Sequence, residues 1–159
     1  MIDSGGPAPD FTLSDQDGND VTLSGLEGKW RLVYFYPKAD TPGCTAQACS
    51  ARDHSADYEA ANAVVLGVSP DPVKDLRKFA DKYGLAFTLL SDEGGQVAQQ
   101  YGAWVEKNRY GRTYFGNERS SVLVDPEGNV ARVFPRVKPA EHDDLVLGAL
   151  RELGAAKTA

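Results

Sequence analysis

Two nearly continuous apolar segments constrain the fold of this chain more than any other feature of its sequence. Residues 31–36 and 63–68 are rich in Val, Leu and Tyr, and a helix-compatible segment follows each of them. Such runs lack the alternation of a half-exposed strand and are typical of strands that are buried on both faces of a sheet. A helix is expected between them, over residues 44–61. This order of strand, helix and strand predicts an α/β fold.

Shorter strands flank this central unit on both sides. Two strands around the turn at residues 15–19 predict an N-terminal β-hairpin, because Asp, Gly and Asn favour a tight turn there. Residues 120–124 and 130–134 predict a second hairpin across a turn that contains Pro and Gly. The hairpins and the two buried strands together predict a mixed central sheet.

Three more helices are predicted, and they complete the layers of the fold. Apolar side chains at positions 76, 79, 80 and 83 share one helix face, so residues 73–83 are predicted to form a helix that ends at Gly84. The other predicted elements are a strand at 87–90, a helix at 95–101 closed by Gly102, and a last helix at 139–153. Helices are therefore expected on both faces of the sheet, which predicts one thioredoxin-like α/β domain over residues 1–159.

Cys44 is the residue that the sequence most clearly marks as reactive. It lies at a strand-to-helix turn, close to the predicted start of a helix. Backbone N–H groups are unpaired there and the helix dipole is positive, so a thiolate is favoured over a thiol. Cys49, five residues later, is a second thiol that could capture the product of a reaction at Cys44. The pair predicts redox chemistry.

Composition and charge exclude several classes of function. A net charge of −6 argues against nucleic acid as a partner. The chain has only two cysteines, too few for a disulfide scaffold. His54 and His142 share no ligand motif, and both are expected at the surface. Residues 107–114, which mix basic and aromatic side chains, are expected to form a solvated loop. No apolar stretch is long enough to span a bilayer and no secretory signal is recognisable, so a cytoplasmic location is expected.

The cysteine segment resembles the active-site signature of the peroxiredoxins, in the pattern Pro37-x-x-x-Thr41-x-x-Cys44. The stretch from Asp40 to Cys49 is similar to the bacterioferritin comigratory protein/PrxQ group of that family. The resemblance covers roughly residues 7–150, because further segments fall in family order: 8–13, 68–71, 101–104 and 119–120.

This resemblance implies a peroxidase that needs no metal, haem or flavin. Cys44 is the implied peroxidatic cysteine, which becomes a sulfenic acid on attacking hydrogen peroxide or an organic hydroperoxide. Thr41 is implied to offer its hydroxyl to the thiolate and the peroxide, and Pro37 to shield the pocket from water. Arg119 is implied to stabilise the thiolate and hold the peroxide, although an arginine before a strand is more often a surface ion-pair partner. The backbone N–H groups of Gly43 and Cys44 can stabilise the leaving oxygen.

Cys49 is the implied resolving cysteine, and the two thiols cannot meet on an intact helix. Residues five apart are separated by about 140° around a helix and about 7.5 Å along it. That separation exceeds the reach of a disulfide. Local unwinding around residues 43–50 is therefore hypothesised before a Cys44–Cys49 disulfide forms. The resemblance also implies thioredoxin or a similar dithiol as reductant, and a monomer as the working form.

Two other functions are compatible with the same predicted fold. A thiol–disulfide carrier usually has Cys-x-x-Cys, which this spacing does not match. A copper-delivery protein would need a well-placed histidine, and His142 falls in the last helix. Gln47 and the pair Ser121-Val122 depart from the Glu and the Thr-Phe that family members often carry, and neither position is expected to belong to the catalytic set.

Overall fold

The computed structural model describes residues 1–154, which form nine β-strands and five α-helices. The strands are Thr12–Asp15 (β1), Asp20–Thr22 (β2), Trp30–Phe35 (β3), Ala63–Ser69 (β4), Thr88–Ser91 (β5), Trp104–Arg109 (β6), Arg112–Asn117 (β7), Ser120–Val124 (β8) and Val130–Phe134 (β9). The helices are Pro42–Asp53 (α1), Ser55–Ala60 (α2), Val73–Tyr83 (α3), Gln96–Tyr101 (α4) and His142–Glu152 (α5).

Seven strands form one mixed sheet in the order β2-β1-β5-β4-β3-β8-β9. The two segments that the sequence marks as buried strands, β3 and β4, pair in parallel at its centre, and β5 joins β4 in parallel. The outer pairs, β1 with β5 and β3 with β8, are antiparallel. The predicted mixed sheet and both predicted hairpins are confirmed.

Both faces of the sheet are covered, and strand β3 shows how. Leu32 and Tyr34 point into a core that they share with residues of α1, α2, α3 and α5. Val33 and Phe35 point to the opposite face, into a second core that includes residues of α4. Because successive side chains of a strand face opposite ways, an unbroken apolar run is needed to fill both cores.

The predicted helix over residues 44–61 is wrong in one respect, because two helices occupy this segment. α1 ends at Asp53, and His54 leaves the helical conformation with φ −97° and ψ 13° before α2 begins. No glycine or proline lies between residues 44 and 61 to indicate the break. The break allows α2 to pack on β4, with Tyr58 buried.

The predicted solvated loop at residues 107–114 is also wrong. β6 and β7 pair there as a separate antiparallel ribbon. Its two-residue turn uses Tyr110 and Gly111, both with left-handed backbone (φ 53° and 73°), as the common tight hairpin turn requires. The side chains around the turn are exposed on both faces of the ribbon. Because neither face is buried there, the sequence does not alternate between apolar and polar residues, which is the pattern that would predict strands.

The other predicted helices agree with the structure more closely. α3 spans residues 73–83, and Gly84 ends it in the left-handed conformation with φ 62°. α5 begins at His142, three residues later than predicted. The single domain over residues 1–159 stays a prediction, and residues 155–159 lie outside the described residues. Within residues 1–154, no helix has the length and apolar character needed to cross a membrane.

Candidate active site

Cys44 lies in the first turn of α1, directly after the loop that leaves the central strand β3. Thr41 precedes the helix in an extended conformation (φ −101°, ψ 155°), as expected for a residue before proline, and Pro42 is the first helical residue. The first hydrogen bond of the turn runs from the Thr45 N–H to the Thr41 carbonyl at 2.8 Å. The N–H groups of Gly43 and Cys44 precede that bond, so helix geometry leaves them free to face an anion.

Two carboxylates hold the loop that precedes Cys44. Asp40 has a left-handed backbone (φ 59°), and its carboxylate accepts hydrogen bonds from Lys82 Nζ at 2.9 Å and the Tyr83 hydroxyl at 2.8 Å. These two donors lower the pKa of Asp40. The buried Asp71 accepts a hydrogen bond from the Ala39 N–H at 2.7 Å. The loop is therefore held at two successive residues, Ala39 and Asp40.

Arg119 is brought next to Cys44 by its position just before β8. Its Nη2 atom lies 3.3 Å from Cys44 Sγ, within hydrogen-bonding distance for sulfur. Cys44 itself is only 2% exposed, so a thiolate there depends on this cation and on the helix start for its stabilisation. A Cβ atom at Gly43 would lie 3.0 Å from Arg119 Nη2, so glycine gives the guanidinium room.

Thr41 and Pro37 lie in the loop that precedes Cys44. The Thr41 hydroxyl donates a hydrogen bond to the Lys38 carbonyl at 2.8 Å, so it supports the loop in this structure. Pro37 is half-buried, two residues after the end of β3. The structure thus brings Arg119 to the sulfur of Cys44 and gives the hydroxyl of Thr41 a different partner. The catalytic roles of these residues stay predictions.

Cys49 lies on the same unbroken helix as Cys44, and both are free thiols. It is half-buried, whereas Cys44 is buried. With about 140° and about 7.5 Å between the two positions, α1 as observed holds the thiols apart. A disulfide between them therefore requires α1 to unwind, which is the premise of the unwinding hypothesis.

Three buried polar residues behind Arg119 were missed by the sequence reasoning. Gln47 accepts a hydrogen bond from Arg119 Nη1 at 2.6 Å, and its amide nitrogen lies 3.1 Å from His142 Nδ1. The other ring nitrogen of His142 lies 2.7 Å from Ser121 Oγ. The expectation that His142 is a surface residue is wrong, because its exposure is 0%. One signal was available: Gln47 follows Cys44 by three residues and so shares its helix face.

A second cation near the site is Lys107, in the middle of strand β6. Its Nζ atom donates a hydrogen bond to the Asn117 carbonyl at 2.5 Å. Burial lowers the pKa of Lys107, and the charges of Cys44 and Arg119 are close enough to act on it. The β6–β7 ribbon, which forms where a solvated loop is predicted, therefore contributes charge to the surroundings of Cys44.

Comparison with known proteins decides between the functions that this geometry allows. Residues 4–133 match the family described as AhpC/TSA. The chain is 48% identical over 151 residues to Peroxiredoxin Bcp of Escherichia coli K12, across 95% of this chain and 97% of the relative. The chain belongs to the peroxiredoxins of the AhpC/TSA family. As a peroxiredoxin it is a thiol-dependent peroxidase, and the predicted family and enzyme class are confirmed.

Solved structures give the same assignment for this peroxiredoxin. Peroxiredoxin Q of Xanthomonas campestris superposes with a TM-score of 0.86 at 40% identity, over 91% of each chain. The bacterioferritin comigratory protein of the same organism, studied for alkyl peroxide reduction, has a TM-score of 0.87 at 38% identity over 94% of this chain and 98% of its own. The thioredoxin-like fold and the bacterioferritin comigratory protein/PrxQ group are confirmed. The alternatives of a thiol–disulfide carrier and a copper-delivery protein are set aside.

Proposed function

We propose that Cys44 is the peroxidatic cysteine of this enzyme. Its thiolate attacks one oxygen of the hydroperoxide, the O–O bond breaks, and sulfur is oxidised to sulfenic acid. The leaving oxygen takes up a proton and departs as water or an alcohol. The observation that carries the proposal is the 3.3 Å contact between Arg119 Nη2 and Cys44 Sγ at the start of α1.

Arg119 and the first turn of α1 form the electrostatic part of this site. The guanidinium stabilises the thiolate before attack and the developing charge on the peroxide oxygens during attack. The N–H groups of Gly43 and Cys44 add two donors that need no rearrangement. Thr41 joins them once its hydroxyl turns from the Lys38 carbonyl to the bound peroxide, and Pro37 keeps water from the pocket.

Cys49 is the proposed resolving cysteine. Its thiol attacks the sulfenic sulfur of Cys44, a sulfur–sulfur bond forms and water leaves. α1 must unwind between the two residues first, because the observed helix holds them apart. A dithiol reductant, which we expect to be thioredoxin, then supplies two electrons and two protons and restores both thiols.

Hydrogen peroxide and organic hydroperoxides are the proposed substrates. The study of alkyl peroxide reduction on the Xanthomonas campestris relative supports the second class. Because the resolving thiol lies in the same chain, turnover requires no second subunit, and we expect a monomer. The cytoplasmic location stays a prediction from the sequence.

The intact mass of the reduced protein after one equivalent of hydrogen peroxide tests both cysteines. The wild-type chain should lose the mass of two hydrogen atoms as the disulfide forms. Cys49→Ser should form a sulfenic acid that dimedone traps at Cys44, and Cys44→Ser should not react. A wild-type chain that stays reduced contradicts the proposal, and a Cys49→Ser variant that behaves as wild type removes Cys49 from the mechanism.

A further inference from the structure

A line of buried polar side chains extends from Arg119 away from Cys44. It passes from the guanidinium to the Gln47 side chain (2.6 Å), from there to the His142 ring (3.1 Å), and on to the Ser121 hydroxyl (2.7 Å). Gln47, His142 and Ser121 are each 0% exposed. Polar groups buried this completely are costly unless they are paired, so each contact has to be kept.

The direction of every hydrogen bond in this line follows from Arg119. A guanidinium has only donors, so the Gln47 oxygen must face it and the Gln47 NH₂ group must face His142. Nδ1 of His142 is then the acceptor, which places the ring proton on Nε2, where it is donated to Ser121 Oγ. His142 is therefore neutral in the folded protein. Burial acts in the same direction, because it lowers the pKa of His142 to about 4.

The ring of His142 is held in place by contacts with several elements of the fold. It is the first residue of α5, whereas Gln47 belongs to α1 and Ser121 to β8. The ring of Tyr34, on the central strand β3, packs against it with centroids 5.4 Å apart. His142 thus ties the orientation of the Gln47 amide to three separate parts of the fold.

We propose that His142 is a positioning residue for the peroxide reaction: as a neutral acceptor it fixes the Gln47 amide, which in turn holds the Arg119 guanidinium beside Cys44. This inference rests on the proposed role of Cys44. Without an acceptor at residue 142, the Gln47 NH₂ group is left buried without a partner, which is costly. The Gln47 side chain then shifts to find another acceptor, and its oxygen no longer holds Arg119 Nη1 in place.

Two substitutions at residue 142 test the proposal. His142→Leu removes the acceptor, whereas His142→Asn keeps a side-chain oxygen near the position of Nδ1. We expect His142→Leu to slow the reaction of reduced protein with hydrogen peroxide on the order of tenfold, less than the roughly 100-fold that a 1 Å misplacement can cause. The thiolate fraction of Cys44 at neutral pH, measured by ultraviolet absorbance, should fall with it. His142→Asn should retain most of the reaction rate and most of the thiolate fraction.

Val146→Ala is the matched control, because Val146 is buried one turn further along α5 and its side chain has no polar group. It should lower the free energy of unfolding and leave the peroxide rate and the thiolate fraction near wild type. If Val146→Ala slows the reaction as much as His142→Leu, or if His142→Leu reacts like wild type, the positioning role is refuted.

Nitrogen NMR of the wild-type protein provides a test that needs no variant to fold. The His142 ring should show a neutral imidazole with its proton on Nε2. A proton on Nδ1, or a charged ring at neutral pH, would overturn the proposal. The outcome for Cys44→Ser separates the two hypotheses: if that variant still reduces peroxide, the proposed function fails, whereas normal reactivity of the His142 variants alone removes only this inference.

Discussion

Arg119 makes two different hydrogen bonds with the two ends of its guanidinium. Nη2 contacts Cys44 Sγ and Nη1 contacts Gln47 Oε1, at 3.3 and 2.6 Å. A planar group with fixed donor directions can serve a sulfur and an amide at once, whereas an ammonium is a single point charge. At the scale of one residue, the geometry of this cation therefore matters as well as its charge.

Arg119→Lys keeps the positive charge and should still impair the reaction. Losing one hydrogen bond to a charged group costs about 1.5–3 kcal/mol, which corresponds to a rate loss of roughly 10-fold to 100-fold. Stopped-flow measurement of the reduced protein with hydrogen peroxide gives the rate. Arg112→Lys is the control, because Arg112 is exposed in β7. A rate for Arg119→Lys equal to that of the control would show that charge alone is sufficient.

The individual residues of the site were predictable to different degrees. Cys44 and its place at a helix start follow from local signals, namely an apolar run and a proline before a helical segment. The proximity of Arg119 came only from the family resemblance, because its partner lies 75 residues away in the sequence. His142 had no signal at all: its burial depends on contacts with α1 and β8 that no local pattern encodes.

α1 is the element on which the proposed cycle depends, and its C-terminal half is fastened to α5. The buried Asp143 accepts hydrogen bonds from the hydroxyls of Ser50, next to Cys49, and Tyr58. Burial and the nearby Asp143 carboxylate raise the pKa of Tyr58, so its hydroxyl stays a donor. Opening α1 around Cys49 therefore requires the Ser50–Asp143 hydrogen bond to break.

Ser50→Ala should make disulfide formation faster, because it removes that hydrogen bond without touching either cysteine. A hydrogen bond to a charged group is worth about 1.5–3 kcal/mol. If half of this free energy opposes the unwinding of α1, the rate of disulfide formation should rise by up to about tenfold. The measurement is quenched-flow trapping of free thiols after a peroxide pulse. Ser55→Ala, exposed at the start of α2, is the control. Equal resolution rates in both variants would mean that α1 opens elsewhere.

The elements themselves were predicted well where burial on both sides forces an apolar run. Residues 31–36 and 63–68 became β3 and β4 within one residue at each end. The β6–β7 ribbon was missed because its exposed side chains carry no pattern that requires a strand. The break at His54 was missed because it serves the packing of α2 on β4, which is a tertiary effect.

The site as a whole is assembled from distant parts of the chain. The hydrogen bond from Arg119 to Gln47 joins residues 72 apart, and the contact from Gln47 to His142 joins residues 95 apart. Such contacts exist only in the complete fold. Reactivity of Cys44 and global stability are therefore linked through the same buried residues.

His142 should make the folded protein less stable as the pH falls. Burial lowers the pKa of His142 from 6.5 to about 4, opposed by Asp143 and assisted by Arg119. The unfolded chain therefore binds a proton below its ordinary pKa while the folded chain does not, and stability declines from about pH 6.5 towards the folded value. Between pH 7 and about pH 5 the loss should be about 2 kcal/mol.

Urea unfolding of the wild type and His142→Asn at both pH values measures this contribution. The variant should lack the part of the decline in unfolding free energy that comes from His142. His54 changes stability with pH in the opposite direction, because its hydrogen bond to the Ser50 carbonyl raises its pKa. Since His54 is present in both proteins, its contribution cancels when they are compared. The same pH slope in the wild type and the variant would contradict a buried neutral histidine.

Placing both cysteines on one helix also sets a time window for the enzyme. In the proposed cycle, Cys44 remains a sulfenic acid for as long as α1 takes to open. A second peroxide that arrives within this interval carries the sulfur on to sulfinic acid, which the reductant cannot restore. The dose of oxidant that inactivates the protein is therefore governed by the opening rate of a twelve-residue helix, from Pro42 to Asp53. Conditions that stiffen this helix would lower the dose that the protein survives.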